Sequence, residues 1–291
     1  MKSKAKRIAV ADIIIIAFFF VMAFLTLFPM WYVLVGSFNE GADYTRGGVV
    51  FFPRVWSVMN YSYVLTDMRI WKAYGITIAR TLLGTGLHIF ITFMVAYAMS
   101  IPLLKFRSFY YGFMIVTMFF GGGMIPFYVW LSMIGLLDTF WVYVLPKMFS
   151  VYNMLVFLAF IRSLPEELHE AATLDGAGEY RVCFQIILPC CKPVIATIVL
   201  WQVVSHWNNY FDSMYYVMNN DLFTLQYVLK IMVNELSVQD NDLIPPSQLE
   251  KLTPTVISYA AIIVTTLPVL FVYPFLQKQF AKGFMLGSLK G

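Results

Sequence analysis

Long apolar stretches alternate with short polar ones along this chain. Six apolar stretches run Ile13–Phe38, Trp71–Ser100, Phe109–Ile134, Thr139–Ile161, Pro193–Val217 and Pro254–Leu276. Each reaches the ~20 residues a helix needs to cross the hydrocarbon core of a bilayer. The alternation over about ten residues that marks a membrane barrel strand is absent. The pattern therefore predicts an all-α integral membrane protein with six transmembrane helices. It divides into an N-terminal tail (1–12), a membrane domain (13–277) that includes the polar loop 162–192, and a C-terminal tail (278–291). The first run follows Lys2, Lys4, Lys6 and Arg7, as a signal peptide would. It is too long for a signal core and no small-x-small cleavage site follows, so it is read as a membrane helix that stays.

Lysine and arginine near the helix ends give the orientation. One set of connections holds Lys2, Lys4, Lys6, Arg7, Lys105, Arg107, Arg162, Arg181, Lys192, Lys278, Lys282 and Lys290; the other holds Arg46, Arg54, Arg69, Lys72, Lys230 and Lys251, a ratio of 12 to 6. This bias puts both termini and the loop 162–192 in the cytoplasm of a multi-pass cell-membrane protein. The segments Asn39–Ile70 and Met218–Thr253 then face out.

Composition agrees: 60% of residues are hydrophobic and 12% charged, with mean hydropathy +0.74. A soluble domain carries about twice that charge. The net charge of +4 is dispersed, which argues against nucleic acid as a partner. Cys183, Cys190 and Cys191 lack a metal-ligand spacing, as do His88, His169 and His206, so no metal site is expected. Ser205 and His206 are adjacent and would point about 100° apart on a helix, which rules them out as nucleophile and base.

The loop 162–192 has internal order. Ser163-Leu164-Pro165-Glu166 reads as a capping box with proline in the first turn, and Glu166 and Glu167 suit a helix N-terminus. The helix continues through Glu170, Ala171 and Ala172, where small side chains allow another surface to approach the backbone. Asp175-Gly176 ends it, because glycine tolerates a left-handed C-cap. A second helical piece from about Glu179 presents Val182, Ile186 and Ile187 on one side and stops at Pro189. The two pieces form a short helix lying along the membrane, anchored at both ends by membrane helices. Such an element suits docking into a cytoplasmic partner or resting on lipid headgroups.

Glu170-Ala171-Ala172, Asp175-Gly176-Ala177, Ile186 and Leu188-Pro189 match, without a gap, the EAA loop of binding-protein-dependent ABC importer permeases. The chain resembles the carbohydrate-uptake, maltose-permease-like branch of that family, and the subgroup for oligosaccharides and polysaccharide fragments. The likeness extends to Gly122-Gly123-Met124-Ile125-Pro126, Gly135-Leu136-Leu137-Asp138-Thr139, Pro165-Glu166-Glu167-Leu168, Trp207-Asn208 and Lys282-Gly283-Phe284-Met285-Leu286-Gly287. The resemblance implies that the loop between helices 4 and 5 is a coupling helix docked on an ATPase. Glu170, Ala171, Ala172, Asp175, Gly176, Ala177, Ile186, Leu188 and Pro189 would form that docking element. It implies four kinds of partner: a second homologous permease, an ATP-binding cassette dimer, an extracytoplasmic sugar-binding protein and the carbohydrate itself. The sequence holds no G-x-x-x-x-G-K-[ST]. ATP and Mg are thus expected on the partner ATPase, with no cofactor and no catalysis in this chain.

Candidate path residues lie in three places. Trp207-Asn208-Asn209-Tyr210-Phe211-Asp212 falls in the fifth apolar run, with Trp207 about 20 Å above Pro193 on a continuous helix. Intramembrane amides and carboxylates face protein or a water-filled cavity. An aromatic ring with amide neighbours suits a sugar, and interhelical bonding is the plainer alternative. Helical spacing groups Trp207 with Phe211 and Asn208 with Asp212. Gly121-Gly122-Gly123 before Pro126 should break or bend the third helix, as at many substrate cavities, or else pack closely on a neighbour. Arg80 and Lys147, the latter expected near mid-helix, would meet an acidic sugar or, as the favoured reading, a carboxylate of a partner subunit. Two other classes fit less well. A six-helix intramembrane protease would need a nucleophile motif that is missing. A self-sufficient secondary transporter would need internal repeats or carboxylates deep in the bundle. An ABC permease for a non-sugar solute stays open, since a docking loop does not specify cargo.

Overall fold

A computed structural model describes residues 10–165, 167–238 and 252–288, with side chains over 12–165, 167–236 and 252–271. Residues 1–9 and 289–291 of the expected tails (1–12 and 278–291), Glu166 of the capping box, and Lys251 fall outside the described residues.

Every long element among the described residues is helical; the one extended pairing is an isolated antiparallel bridge between Asn39 and Trp56. Three unbroken helices are long and apolar enough to cross a membrane: within α1 (Val10–Ser37), α4 (Met68–Ser100) and α14 (Pro254–Ser288), the stretches Asp12–Ser37, Met68–Ser100 and Pro254–Phe271. Three further apolar runs are bent pairs, so the described chain supplies three straight spans, or six if each bent pair counts as one.

The bends have local causes. α5 (Arg107–Phe119) and α6 (Met124–Met133) meet at 114°, across the expected glycine break. Gly123 takes φ +85°, a conformation glycine adopts without the Cβ penalty. The fourth run starts as 3-10 turns at Phe140–Tyr143 and Leu145–Lys147, then turns 46° into α7 (Val151–Arg162), whose N-cap Ser150 accepts from the Asn153 N–H. Lys147 therefore sits in a turn beside Pro146 and not mid-helix. The fifth run is also shorter than expected: α11 (Lys192–Asn208) stops, and a separate helix, α12 (Phe211–Tyr216), follows the break. The presumed outer loops are partly helical, holding α2 (Gly41–Thr45), α3 (Met59–Thr66) and α13 (Leu225–Val238).

The chain forms two compact units, residues 1–67 with 229–266 and residues 68–228 with 267–291. In the first, α1 is apolar all round and its apolar side chains from Ile13 to Leu27 are exposed, as for a lipid-facing helix. A buried polar knot closes its end. The Asn39 side chain donates to Glu40 O and Asp43 Oδ2, both at 3.0 Å, and accepts from Arg54 N at 2.8 Å. Asn60 donates to Ser37 O and Asn39 O at 2.8 and 2.9 Å. Bonds from Asn39 and Arg54 outweigh burial and hold the Asp43 carboxyl below the usual carboxylate range.

In the second unit α4 is the central helix, packed by both α7 and α11. Its small positions make this possible. A Cβ built on Gly84 would lie 2.6 Å from two ring atoms of His206, itself 1% exposed. Gly84→Ala gains up to about 1 kcal/mol of helix propensity. It also overpacks a buried ring, which costs about 1–3 kcal/mol. The overpacking wins because the ring has no solvent to move into. Gly84→Ala is expected to lower the melting temperature of the detergent-purified protein by several degrees. An unchanged or raised melting temperature would show that the α4–α11 contact can open.

Candidate functional site

The stretch between α7 and α11 folds as two short helical pieces. α8 (Glu167–Leu174) ends in a Schellman cap: Ala177 N donates to Ala172 O and Gly176 N to Thr173 O, both at 3.0 Å, with Gly176 at φ +76°. The expected glycine stop is thus present in full. On the N-terminal side Ser163 is the C-cap of α7 and its Oγ donates to Phe160 O at 2.7 Å, while the expected capping box rests on Glu166, outside the described residues. After the cap, α9 (Glu179–Arg181), a π-helical stretch Val182–Ile187 and α10 (Leu188–Cys190) lead into α11 through a 75° turn. The wide π turns sit just before Pro189, which cannot donate an N–H to the helical ladder.

Burial sorts the docking candidates by face. Ala172, Val182 and Ile187 are buried, and with half-buried Ala177, Ile186 and Leu188 they pack on a core of Phe93, Tyr97, Phe157 and Ile161. Glu170, Ala171, Asp175, Gly176 and Pro189 are exposed. So are Leu174 and Tyr180, at 88% and 78%. Of the two alanines, only Ala171 leaves its backbone open to another surface; Ala172 holds the loop to α4 and α7. Tyr97 of α4 adds a fixed point by donating to Glu179 Oε2 at 2.7 Å, and His169 lies 3.5 Å from Glu179 Oε1. Sequence reading missed Tyr97, a polar ring in an apolar helix with a partner 82 residues away.

The path candidates split in the same way. Gly122 and Gly123 are exposed at the α5–α6 break. Trp207 is buried, edge-on to Tyr74 at 6.3 Å. Asn208 ends α11 and is exposed. Because the helix stops there, the expected grouping of Trp207 with Phe211 and Asn208 with Asp212 on helical faces does not form. Asn209 instead caps α12, accepting from Asp212 N at 3.1 Å. Tyr210, Phe211 and Tyr215 stack in series, with centroids 4.3 and 6.0 Å apart, and Phe211 is half exposed.

Asp212 is the centre of the site. Its Oδ2 accepts from Arg80 Nη2 at 2.9 Å and from Lys147 Nζ at 2.6 Å. The carboxylate expected from a partner subunit is therefore supplied by this chain, 132 and 65 residues from its two cations. Arg80 is wholly buried, gives a second bond to Asn209 O at 3.1 Å, and lies 4.7 Å from the Tyr143 ring centroid. The Lys147 side chain keeps 33% exposure. Two cations on one carboxylate leave the cluster at +1, with the excess charge on the exposed lysine.

Neutral networks brace the cluster. Tyr143 donates to Leu222 O at 2.8 Å, so Ser213 Oγ must donate to the phenol and accept from Thr224. Asn153 donates to His88 Nε2 at 2.8 Å, which leaves His88 Nδ1–H to donate to Lys147 O at 2.8 Å. Arg80 Nε and both ring nitrogens of His206 are buried without a partner. Groups of three or more His, Cys, Asp or Glu able to hold a metal are absent among the described residues.

Comparison with known proteins adds relatives that run the length of the chain. Protein LplC of Bacillus subtilis is 36% identical, over 99% of this chain and 97% of that one. The polygalacturonan/rhamnogalacturonan transport system permease YtcP of Bacillus subtilis is 32% identical, over 96% and 98%. A crystal structure of a bacterial ABC transporter involved in import of the acidic polysaccharide alginate superimposes with a TM-score of 0.88. That match is at 27% identity and covers 96% of this chain and 100% of that one. Residues 4–285 match the family model described as binding-protein-dependent transport system inner membrane component. The chain belongs to that family of membrane permeases.

Proposed function

We propose that this chain is one of two permease subunits in an ATP-driven ABC importer that carries an oligosaccharide or polysaccharide fragment across the cell membrane. The observation that carries this reading is the match, over 96% of the chain, to permeases of sugar-polymer importers. Both termini and the loop 162–192 would face the cytoplasm, as the Lys/Arg bias favours.

In this reading α8 is the coupling helix. Exposed Glu170, Ala171, Leu174, Asp175 and Gly176 would meet a cleft of the ATPase dimer, while Ala172, Ile186 and Leu188 fix the helix to the bundle. A push on α8 would then move α4, α7 and α11 together, because one apolar core joins them. ATP and Mg would be bound and turned over by the ATPase, and this chain would hold neither. An extracytoplasmic binding protein would deliver the sugar. The sugar would pass the α5–α6 break and the Trp207–Asp212 segment, where stacked aromatic rings, amide groups and the Lys147 ammonium offer ring contacts and hydrogen bonds. The second permease would cover the apolar faces that α5 and α6 leave exposed.

The test is to tag this chain in its native membrane, solubilise it mildly and identify what copurifies. A P-loop ATPase and a second permease are expected, together with sugar-stimulated ATP hydrolysis once a binding protein is added. A chain that purifies alone and transports when reconstituted would sink the assignment of α8 as a docking element.

A further inference from the structure

A groove of about 590 Å³ opens between α5 and α7. Arg107, Ser108, Tyr111 and Gly112 line it from one face of the first turns of α5, and Arg162, the last residue of α7, closes it. Neither guanidinium makes an ion pair or a side-chain hydrogen bond among the described residues. The acids nearest in sequence are Glu167 and, outside the described residues, Glu166; between Ser100 and Arg162 the chain carries only Asp138. That carboxylate is engaged elsewhere, accepting from the Met218 and Asn219 N–H groups at 2.8 Å. Lys105, exposed in the preceding turn, adds a third cation. The free N–H groups of the first turn of α5 favour an anion as well.

Two unpaired guanidiniums with a hydroxyl and a phenol suit a phosphate, which arginine binds bidentately. The surroundings decide between a free phosphate and a lipid. Leu103 and Phe106, in the turn that leads into α5, are 91% and 75% exposed. An exposed apolar turn leading into a cationic pocket matches an amphiphile, with the headgroup between the arginines and the acyl chains toward the bilayer. The position at the ends of two apolar helices is where basic pockets meet headgroups.

We propose that the Arg107–Arg162 groove binds the phosphate of an anionic phospholipid. The site acts on the bundle from its lipid side and ties the start of α5 to the end of α7, the helix that leads into α8.

The experiment uses the full transporter in nanodiscs of phosphatidylcholine containing a minor share of phosphatidylglycerol, with retained lipid read by native mass spectrometry. Wild type is expected to retain phosphatidylglycerol preferentially. Arg107→Ala with Arg162→Ala should reduce that preference on the order of tenfold, from two lost headgroup charges. The double lysine variant should recover part of it, and Lys192→Ala should leave it unchanged. Each single alanine variant gives an intermediate loss if the double variant folds poorly. Equal phosphatidylglycerol retention by the wild type and the alanine variants would overturn the proposal. Release of the bound lipid by millimolar inorganic phosphate would overturn the lipid assignment in favour of a free phosphate site.

Discussion

Asp212→Ala is expected to be the most destabilising single substitution in the membrane domain. It leaves Arg80 wholly buried with its carboxylate gone and only Asn209 O and the Tyr143 ring as partners. Removing one partner of a buried pair costs about 3–5 kcal/mol, because the other charge stays unpaired out of water. The two cations should not respond alike. Lys147 is one-third exposed and can swing its ammonium into water, so Lys147→Met should cost well under half as much. Arg80 has no such exit. The break between α11 and α12 makes the loss larger still, since Arg80 also holds Asn209 O at that break. Thermal melts of detergent-purified variants would rank Asp212→Ala below Arg80→Met and Arg80→Met below Lys147→Met. The triple change to methionine should recover much of the loss, since apolar replacement of a whole buried ionic cluster is often neutral. A wild-type melting curve for Asp212→Ala would mean that the carboxylate is not what stabilises Arg80. It would also return Asp212 to the candidates for direct cargo contact.

The same cluster shows where sequence reading works and where it stops. Apolar runs predicted the three unbroken spans, because crossing a bilayer imposes a length that shows in the chain, but not α13, which lies in an expected outer segment. The bend at Gly121–Gly123 was readable too, since glycine and the following Pro126 weaken a helix through their own backbone chemistry. The break after Asn208 carries neither residue. It is held by Arg80, 129 residues earlier, bonding the freed Asn209 carbonyl. A local trace of it existed: Asn209 stands three residues before Asp212, in the order of a helix N-cap followed by an acid in the first turn. The apolar residues on both sides hid that signal. Partner identity was likewise not local. Arg80 and Lys147 were visible as cations in apolar surroundings, but their shared carboxylate lies far away in sequence, and burial pattern alone does not pair them. In the loop 162–192 the situation is reversed. Its cap is built from residues within six positions, so Gly176 was legible. Which alanine faces the core depended on α4 and α7 and was not.

Gly176→Pro is expected to abolish sugar transport and transport-coupled ATP hydrolysis while the bundle inserts and melts normally. Gly176 holds φ +76°, and proline is fixed near −65°, so the C-cap cannot form with proline in place. Proline also removes the N–H that donates to Thr173 O at 3.0 Å. The damage should stay local, because a Cβ at Gly176 would meet nothing within 4 Å and no core contact is disturbed. Gly176→Ala separates the two effects. It keeps the N–H and pays only the left-handed penalty, about 1–2 kcal/mol, so it should retain much of the activity. The open space at Gly176 is what a docking element needs at its tip, and the rigid cap keeps Leu174 and Asp175 presented to a partner. Uptake and ATPase assays on reconstituted variants would read this directly. Loss of both activities in Gly176→Pro, with copurification of the ATPase weakened, would place the coupling contact at the α8 cap. Full transport by Gly176→Pro would remove that role from α8, and the force from ATP hydrolysis would have to enter the bundle elsewhere.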